Sequence, residues 1–182
     1  MDKAILREKY LRLRKQIDNK EEKSRIIKDR LIQIDEYLNS KKVGIYYSMD
    51  QEVDTKPIIE DLLDRKKEVY LPKVVGENMI FIKIDSLDFE KEKSSFGVTE
   101  PILNEKSILE DDLDLLIIPG ICFDLSKNRV GYGKGFYDRY IGEKNIIKIS
   151  LCFDKQVLIN DTIQINTNDK KMDIVVTEER FF

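Results

Sequence analysis

The chain has 182 residues, of which 41% are hydrophobic and 37% charged, with a formal net charge of −3. That length suits one domain with a sizeable core, and the slightly acidic balance gives no general drive toward nucleic acid or an anionic membrane. No apolar run approaches the roughly 20 residues that cross a bilayer, and the absence of histidine excludes Ser-His-Asp and Cys-His catalysis and histidine-ligated zinc.

The N-terminus is charged from Asp2 onward and lacks a signal-peptide core, so a cytoplasmic protein is expected. Residues 2–17 read as a helix, with Leu6, Tyr10, Leu13 and Ile17 on one apolar stripe. At about 100° per residue, Lys3, Arg7 and Arg14 fall on the strip beside it, while Arg12 and Lys15 point to water. Solubilising charge explains any one of these cations; three beside the buried stripe form a basic wall suited to a cleft. A second helix is expected over 20–38, striped by Ile27, Leu31, Ile34 and Leu38. Residues 43–47 read as the first strand, and the polar segment 48–55 follows its C-terminal end. Asp54 or Thr55 then caps a helix with Pro57 in its first turn. Strands over 69–75 and 79–84 flank a Gly-Glu-Asn turn and form a hairpin. Residues 85–112 are charged and irregular apart from Phe96-Gly97-Val98. A strand over 114–118 ends in Pro119-Gly120, a short helix spans 135–142, and strands follow at 146–153 and 173–177. Cys122 and Cys152 sit among apolar neighbours and read as free, buried thiols.

Alternating strands and helices indicate an α/β fold with a mostly parallel sheet. No repeat, low-complexity tract or linker divides residues 1–182, so a single domain is expected. Ligands of such folds sit beyond the carboxyl ends of the strands. The segments 48–55, 119–137 and 152–154 lie there.

The most informative of these is Arg129-Val130-Gly131-Tyr132-Gly133-Lys134-Gly135-Phe136-Tyr137-Asp138. Alternate glycines allow positive φ and close backbone approach, and successive N–H groups in such a turn make an anion-binding nest. Arg129 and Lys134 add positive charge, and Asp138 could hold a magnesium ion. The stretch is neither a P-loop nor a dinucleotide fingerprint, because the glycine spacing differs from both. A phosphate-binding loop is the favoured reading, with a lysine-bearing surface loop left as the alternative.

This stretch, together with Ile118-Pro119-Gly120-Ile121-Cys122-Phe123-Asp124, closely resembles the signature of the 5-formyltetrahydrofolate cyclo-ligase family. The resemblance extends to the Lys3…Arg7 start, to Tyr47-Ser48-Met49…Glu52-Val53-Asp54-Thr55, to Phe96-Gly97-Val98…Glu100-Pro101, and to Asn168-Asp169…Asp173-Ile174-Val175-Val176-Thr177-Glu178. It implies a single-domain three-layer sandwich around a mostly parallel sheet, Rossmann-like and of the NagB/RpiA/CoA-transferase-like kind. It also implies the ATP- and Mg²⁺-dependent cyclisation of 5-formyltetrahydrofolate to 5,10-methenyltetrahydrofolate, with ADP and phosphate released through a phosphorylated formyl intermediate. The folate supplies both nucleophiles, so no histidine or cysteine is required. A monomer is expected, with small-molecule substrates and neither nucleic acid nor membrane as partners.

By the same resemblance, Lys3 and Arg7 contact the ATP phosphates. Arg129, Gly131, Tyr132, Gly133, Lys134, Gly135, Phe136 and Tyr137 wrap the nucleotide, with Lys134 and Arg129 the catalytic cations. Tyr47, Glu52 and Phe96 contact folate, and Tyr132, Lys134 and Phe136 lie between the two substrates. Asp138 and Asp169 match the magnesium positions, where carboxylate oxygens suit a hard cation. Read singly, Asp138 and Asp169 could equally be caps, Glu52 a surface acid, and Tyr47 and Phe96 core residues. Asp124 reads as a loop tie. Two positions depart from the common pattern: Asn168 stands where many bacterial relatives have histidine, and Phe136 replaces a more frequent tyrosine. A different phosphoryl-transfer enzyme using the same loop, or a binding module without turnover, are the competing readings.

Overall fold

A computed structural model describes all of residues 1–182. Helices α1 (Lys3–Lys15), α2 (Lys20–Leu31) and α3 (Asp35–Asn39) precede strand β1 (Lys42–Ile45), and α4 (Lys56–Asp64) follows it. Strands β2 (Glu68–Val75) and β3 (Asn78–Ile84) form a hairpin, as do β4 (Lys91–Lys93) and β5 (Thr99–Pro101). The chain continues through β6 (Leu115–Ile118), β7 (Cys122–Asp124), β8 (Arg129–Val130) and α5 (Phe136–Ile141). It ends with β9 (Ile147–Leu151), β10 (Val157–Leu158) and β11 (Ile174–Val176).

Six strands form the main sheet in the order β11-β9-β6-β1-β2-β3, all parallel except the β2–β3 pair. Its central strands β1 and β6 are short runs buried on both faces, as a parallel sheet requires. Alternation sorts their side chains: Leu115 and Ile117 join the core under α2, α3 and α4, whereas Leu116 and Ile118 join the opposite core with Phe123, Tyr140 and Ile141. Helices therefore flank both faces, with α5 accompanied on its side by a small sheet of order β10-β7-β8. A third core joins Leu6 and Tyr10 of α1 to Ile121, Cys122 and Val130, which docks α1 against that small sheet.

The elements expected from the sequence are present within two or three residues at their ends, with three differences. The single helix expected over 20–38 is two: Ile34 is extended, with φ −80° and ψ 131°, and α3 restarts behind it with Asp35 and Glu36 in its first turn. The restart changes the helical phase, so Tyr37 is buried where Leu38 was expected. Residues 85–112 contain the β4–β5 hairpin, whose strands, Lys-Glu-Lys and Thr-Glu-Pro, are three residues long and show no period-2 apolar pattern. The small sheet likewise escapes periodicity because its strands are two or three residues long. Both cysteines are free and buried.

Strand order reverses at the β1/β6 boundary. The chain moves from β1 outward to β2 on one side, and from β6 outward to β9 and β11 on the other. Such a switch point opens a crevice beyond the carboxyl ends of the two strands. The loops leaving β1 and β6 are those that carry Glu52 and the approach to the glycine loop.

Candidate active site

The β1–α4 loop is built to hold Glu52 in place. Thr55 donates its hydroxyl to the Tyr46 carbonyl at 2.8 Å and accepts from the Ser48 N–H at 3.0 Å, closing the loop on itself. That hydroxyl ties the loop rather than capping α4, whose first free N–H, from Lys56, is accepted by Asp54 at 3.1 Å. The buried Glu52 carboxylate accepts the Met49 N–H at 2.9 Å and the Tyr132 hydroxyl at 2.5 Å. Tyr132 in turn accepts a hydrogen bond from Arg14 at 2.9 Å.

The glycine loop runs from β8 to α5. Gly133 and Gly135 have φ of +92° and +69°, so each needs glycine's freedom; Gly131 does not take a positive φ. Gly135 ends the loop as the N-terminal cap of α5. The cations of α1 close on this loop from one side. Arg7 donates its Nε to the Gly131 carbonyl at 2.9 Å, and its guanidinium lies 3.3 Å from where a Cβ on Gly133 would stand. Arg14 meets Tyr132, and Lys3 pairs with Asp169. The expected basic wall is thus realised, and all three of its members meet the loop or its acidic flank.

Below the loop, Arg129 donates to the Pro119 carbonyl at 3.0 Å and to both Asp138 carboxylate oxygens at 3.1 and 3.2 Å. Its side chain is buried. In this arrangement Arg129 ties the loop to the end of β6 and to Asp138. Asp138 also accepts the Lys170 N–H at 3.1 Å. Asp169 accepts the Asn166 N–H at 2.5 Å as well as Lys3. Burial would raise the Asp169 carboxyl, but the Asn166 N–H and Lys3 together hold it below the usual carboxylate value. Both carboxylates thus carry a cation of the protein. No group of three or more acidic, cysteine or histidine side chains is placed to hold a metal ion. Oxygen donors of this kind are the chemistry a magnesium ion takes, since it keeps several waters and is bound through one or two carboxylates plus substrate phosphates.

Lys134 projects from the loop into solvent, with its ammonium 5.5 Å from the Phe96 ring. Phe96, half-exposed on the β4–β5 turn, lies 6.0 Å from Phe136. The hairpin therefore brings its aromatic tip to the glycine loop. Tyr47 lies farther along the crevice, edge-on to Phe89 at 5.6 Å, with the Lys56 and Lys91 ammonium groups 5.2 and 5.7 Å from its ring. Burial pushes the Tyr137 phenol well above its usual range, and burial with the Glu52 charge does the same for Tyr132. Both remain hydrogen-bond donors at neutral pH. Asp124 ties its loop as expected, accepting from the Asn128 and Ile163 N–H groups at 2.9 Å each.

Sequence reasoning placed Arg14 on the basic strip without giving it a ligand. Its spacing of seven from Arg7, two helical turns, was the available signal that it faces the same crevice. Lys73 was not singled out; it is buried at the end of β2 against Glu92 and lies 3.7 Å from Glu100. Burial raises the Glu100 carboxyl. This pair fastens the hairpin that carries Phe96 to the main sheet.

Comparisons with known proteins agree with one another. A family model described as the 5-formyltetrahydrofolate cyclo-ligase family matches residues 1–178. The chain is 32% identical over 169 residues to the Schizosaccharomyces pombe protein described as "Probable 5-formyltetrahydrofolate cyclo-ligase", covering 82% of this chain and 81% of the relative. It is 33% identical over 132 residues to the 5-formyltetrahydrofolate cyclo-ligase of Haemophilus influenzae, covering 69% and 70% of the two chains. The NMR structure of the Aquifex aeolicus 5,10-methenyltetrahydrofolate synthetase superposes with a TM-score of 0.82 at 31% identity, covering 98% of this chain and 91% of that one.

Proposed function

This chain belongs to the 5-formyltetrahydrofolate cyclo-ligase family, and on that premise we propose that it is an enzyme of one-carbon folate metabolism that converts 5-formyltetrahydrofolate and ATP to 5,10-methenyltetrahydrofolate, ADP and phosphate. The observation that carries the reading is the position of the Gly131–Tyr132 unit. Its carbonyl is held by Arg7 and its tyrosine reaches Glu52, so a phosphate-type loop and a pterin-type acceptor meet at one residue.

The chemistry asks little of the protein beyond positioning and charge neutralisation. The formyl oxygen attacks the γ-phosphorus and ADP leaves. N10 of the folate then attacks the activated carbon, and phosphate departs as the ring closes. Lys134, exposed on the loop and in no ion pair, neutralises the transferred phosphoryl group. Lys3 and Arg7 take the remaining phosphate oxygens, Lys3 by exchanging Asp169 for ATP. Arg129 keeps the loop and Asp138 in register from behind. Asp138 and Asp169 are the residues that would hold Mg²⁺, which when bound neutralises phosphate charge. Glu52 accepts N–H bonds from the donor-rich pterin edge, since a carboxylate can accept two at once. Phe96 and Phe136 cover the reacting centre, and Tyr47 lines the way out for the rest of the folate.

The test is spectroscopic. Purified protein with 5-formyltetrahydrofolate, ATP and Mg²⁺ should develop methenyltetrahydrofolate absorbance, and omission of either ATP or Mg²⁺ should abolish it. Folded protein that gives no product under full conditions would exclude the activity.

A further inference from the structure

Arg14 is the least explained side chain of the site. It is 4% exposed, its Nη1 donates to the Tyr132 hydroxyl at 2.9 Å and lies 3.8 Å from a Glu52 oxygen, and its Nε is buried with no acceptor. Buried donors without partners are rare and costly. A buried guanidinium with a spare nitrogen beside a carboxylate is a site short of one acceptor.

The Tyr132 hydroxyl shows what that acceptor looks like. It donates to Glu52 and accepts from Arg14 at once. A lactam edge, an N–H beside a C=O, offers the same donor–acceptor pair. The pterin of 5-formyltetrahydrofolate carries such an edge in its N3–H and 4-oxo groups. Glu52 can read only the donors of that edge, because an ionised carboxylate has no hydrogen to give. The 4-oxo oxygen therefore needs a donor alongside Glu52, and Arg14 is the cation beside it. Tyr132 as a whole residue is 40% exposed, so it borders solvent into which it can withdraw.

Resting on the folate reading above and extending it, we propose that Arg14 is a substrate-binding residue that donates to the pterin 4-oxo oxygen. The Tyr132 hydroxyl holds that place in the ligand-free enzyme. Arg14 and Glu52 together then set specificity for a 4-oxo over a 4-amino pteridine, because an amino group presents a donor to a guanidinium that can only donate.

The experiment measures dissociation constants of the full chain by calorimetry for 5-formyltetrahydrofolate, for its 2,4-diamino analogue and for ATP. Wild type should prefer the 4-oxo compound about tenfold or more, the size expected of one charged hydrogen bond. Arg14→Met should weaken 5-formyltetrahydrofolate binding by about that factor, erase the preference and leave ATP binding unchanged. Tyr132→Phe should tighten 5-formyltetrahydrofolate binding, and the Arg14→Met loss should persist in the Tyr132→Phe background. An Arg14→Met protein that keeps the 4-oxo preference overturns the proposal. So does a loss that disappears in the Tyr132→Phe background, since Arg14 would then act only through the tyrosine. If Arg14→Met does not fold, Arg14→Gln replaces it. That variant carries an acceptor as well as donors, so it should lose the preference, and an undiminished preference there overturns the proposal equally. Wild type that neither binds nor cyclises 5-formyltetrahydrofolate would overturn the parent reading too, whereas a competent wild type with indifferent Arg14 variants overturns this inference alone.

Discussion

Phe96 and Phe136 meet across two separate pieces of chain, their ring centroids 6.0 Å apart and their planes at 60°. One ring tips the β4–β5 hairpin, and the other opens α5 directly after the glycine loop. Phe96 is 50% exposed, so it contributes little to the core while leaning over Lys134 and the loop. Phe96→Ala should therefore leave stability within about 1 kcal/mol and raise KM for 5-formyltetrahydrofolate several-fold. Thermal melts and steady-state kinetics on the same preparation check both halves. A lowered Tm with unchanged KM would make Phe96 a structural residue.

Lys134 and Glu52 should separate the two halves of the reaction. Lys134 is exposed, so Lys134→Ala should fold normally. It should lower kcat by about a hundredfold or more, the usual cost of removing one group that stabilises transition-state charge, with little change in folate affinity. Glu52→Gln keeps the shape but removes the charge that binds the pterin donors. Its main effect should be a rise in KM for folate. Equal effects of both substitutions on one kinetic parameter would reject this division of labour.

Much of this arrangement was readable in the sequence because its signals are local. The central strands are short apolar runs, the glycine loop is contiguous, and the strip of Lys3, Arg7 and Arg14 follows from helical angle alone. What was not readable depends on contacts between distant segments. Tyr132 and Glu52 are 80 residues apart and meet only because strand order reverses between β1 and β6. The pairing of Lys3 with Asp169 spans 166 residues. The contacts of Arg129 with the Pro119 carbonyl and with Asp138, which tie the loop to the end of β6, were likewise not readable from the residue type. The break before α3 carries no proline or glycine and is set by the burial of Tyr37, a tertiary choice.

The cysteines give an inexpensive test of the core. Burial pushes the Cys122 thiol up to about 12, and burial raises Cys152 as well. Thiolate is the reactive form, so neither should react appreciably with an aromatic disulfide reagent at pH 8 while the protein is folded. Both should titrate on addition of denaturant. Rapid modification of one thiol in native buffer would mean that the sheet opens locally at β7 or at the end of β9.

Acid should expose the tie that closes the C-terminal end of the chain. Asp154, just after β9, accepts Arg180 Nε at 2.8 Å and Nη2 at 2.7 Å, and the Thr177 hydroxyl at 3.0 Å. The Arg180 hydrogen bonds, first, and then that of Thr177 outweigh burial and hold its carboxyl below the ordinary 3.8. A carboxyl lowered on folding adds stability above its unfolded value and loses it as pH falls through the lower folded one. Because Arg180 is exposed, the gain is that of a solvent-screened pair and is small. Asp154→Asn should thus lower Tm by a constant amount between about pH 5 and 8. The gap from wild type should close as pH drops below the ordinary carboxylate value. Melts of both proteins across that range decide the matter: a gap that stays constant into strong acid would show that Asp154 acts through packing rather than charge.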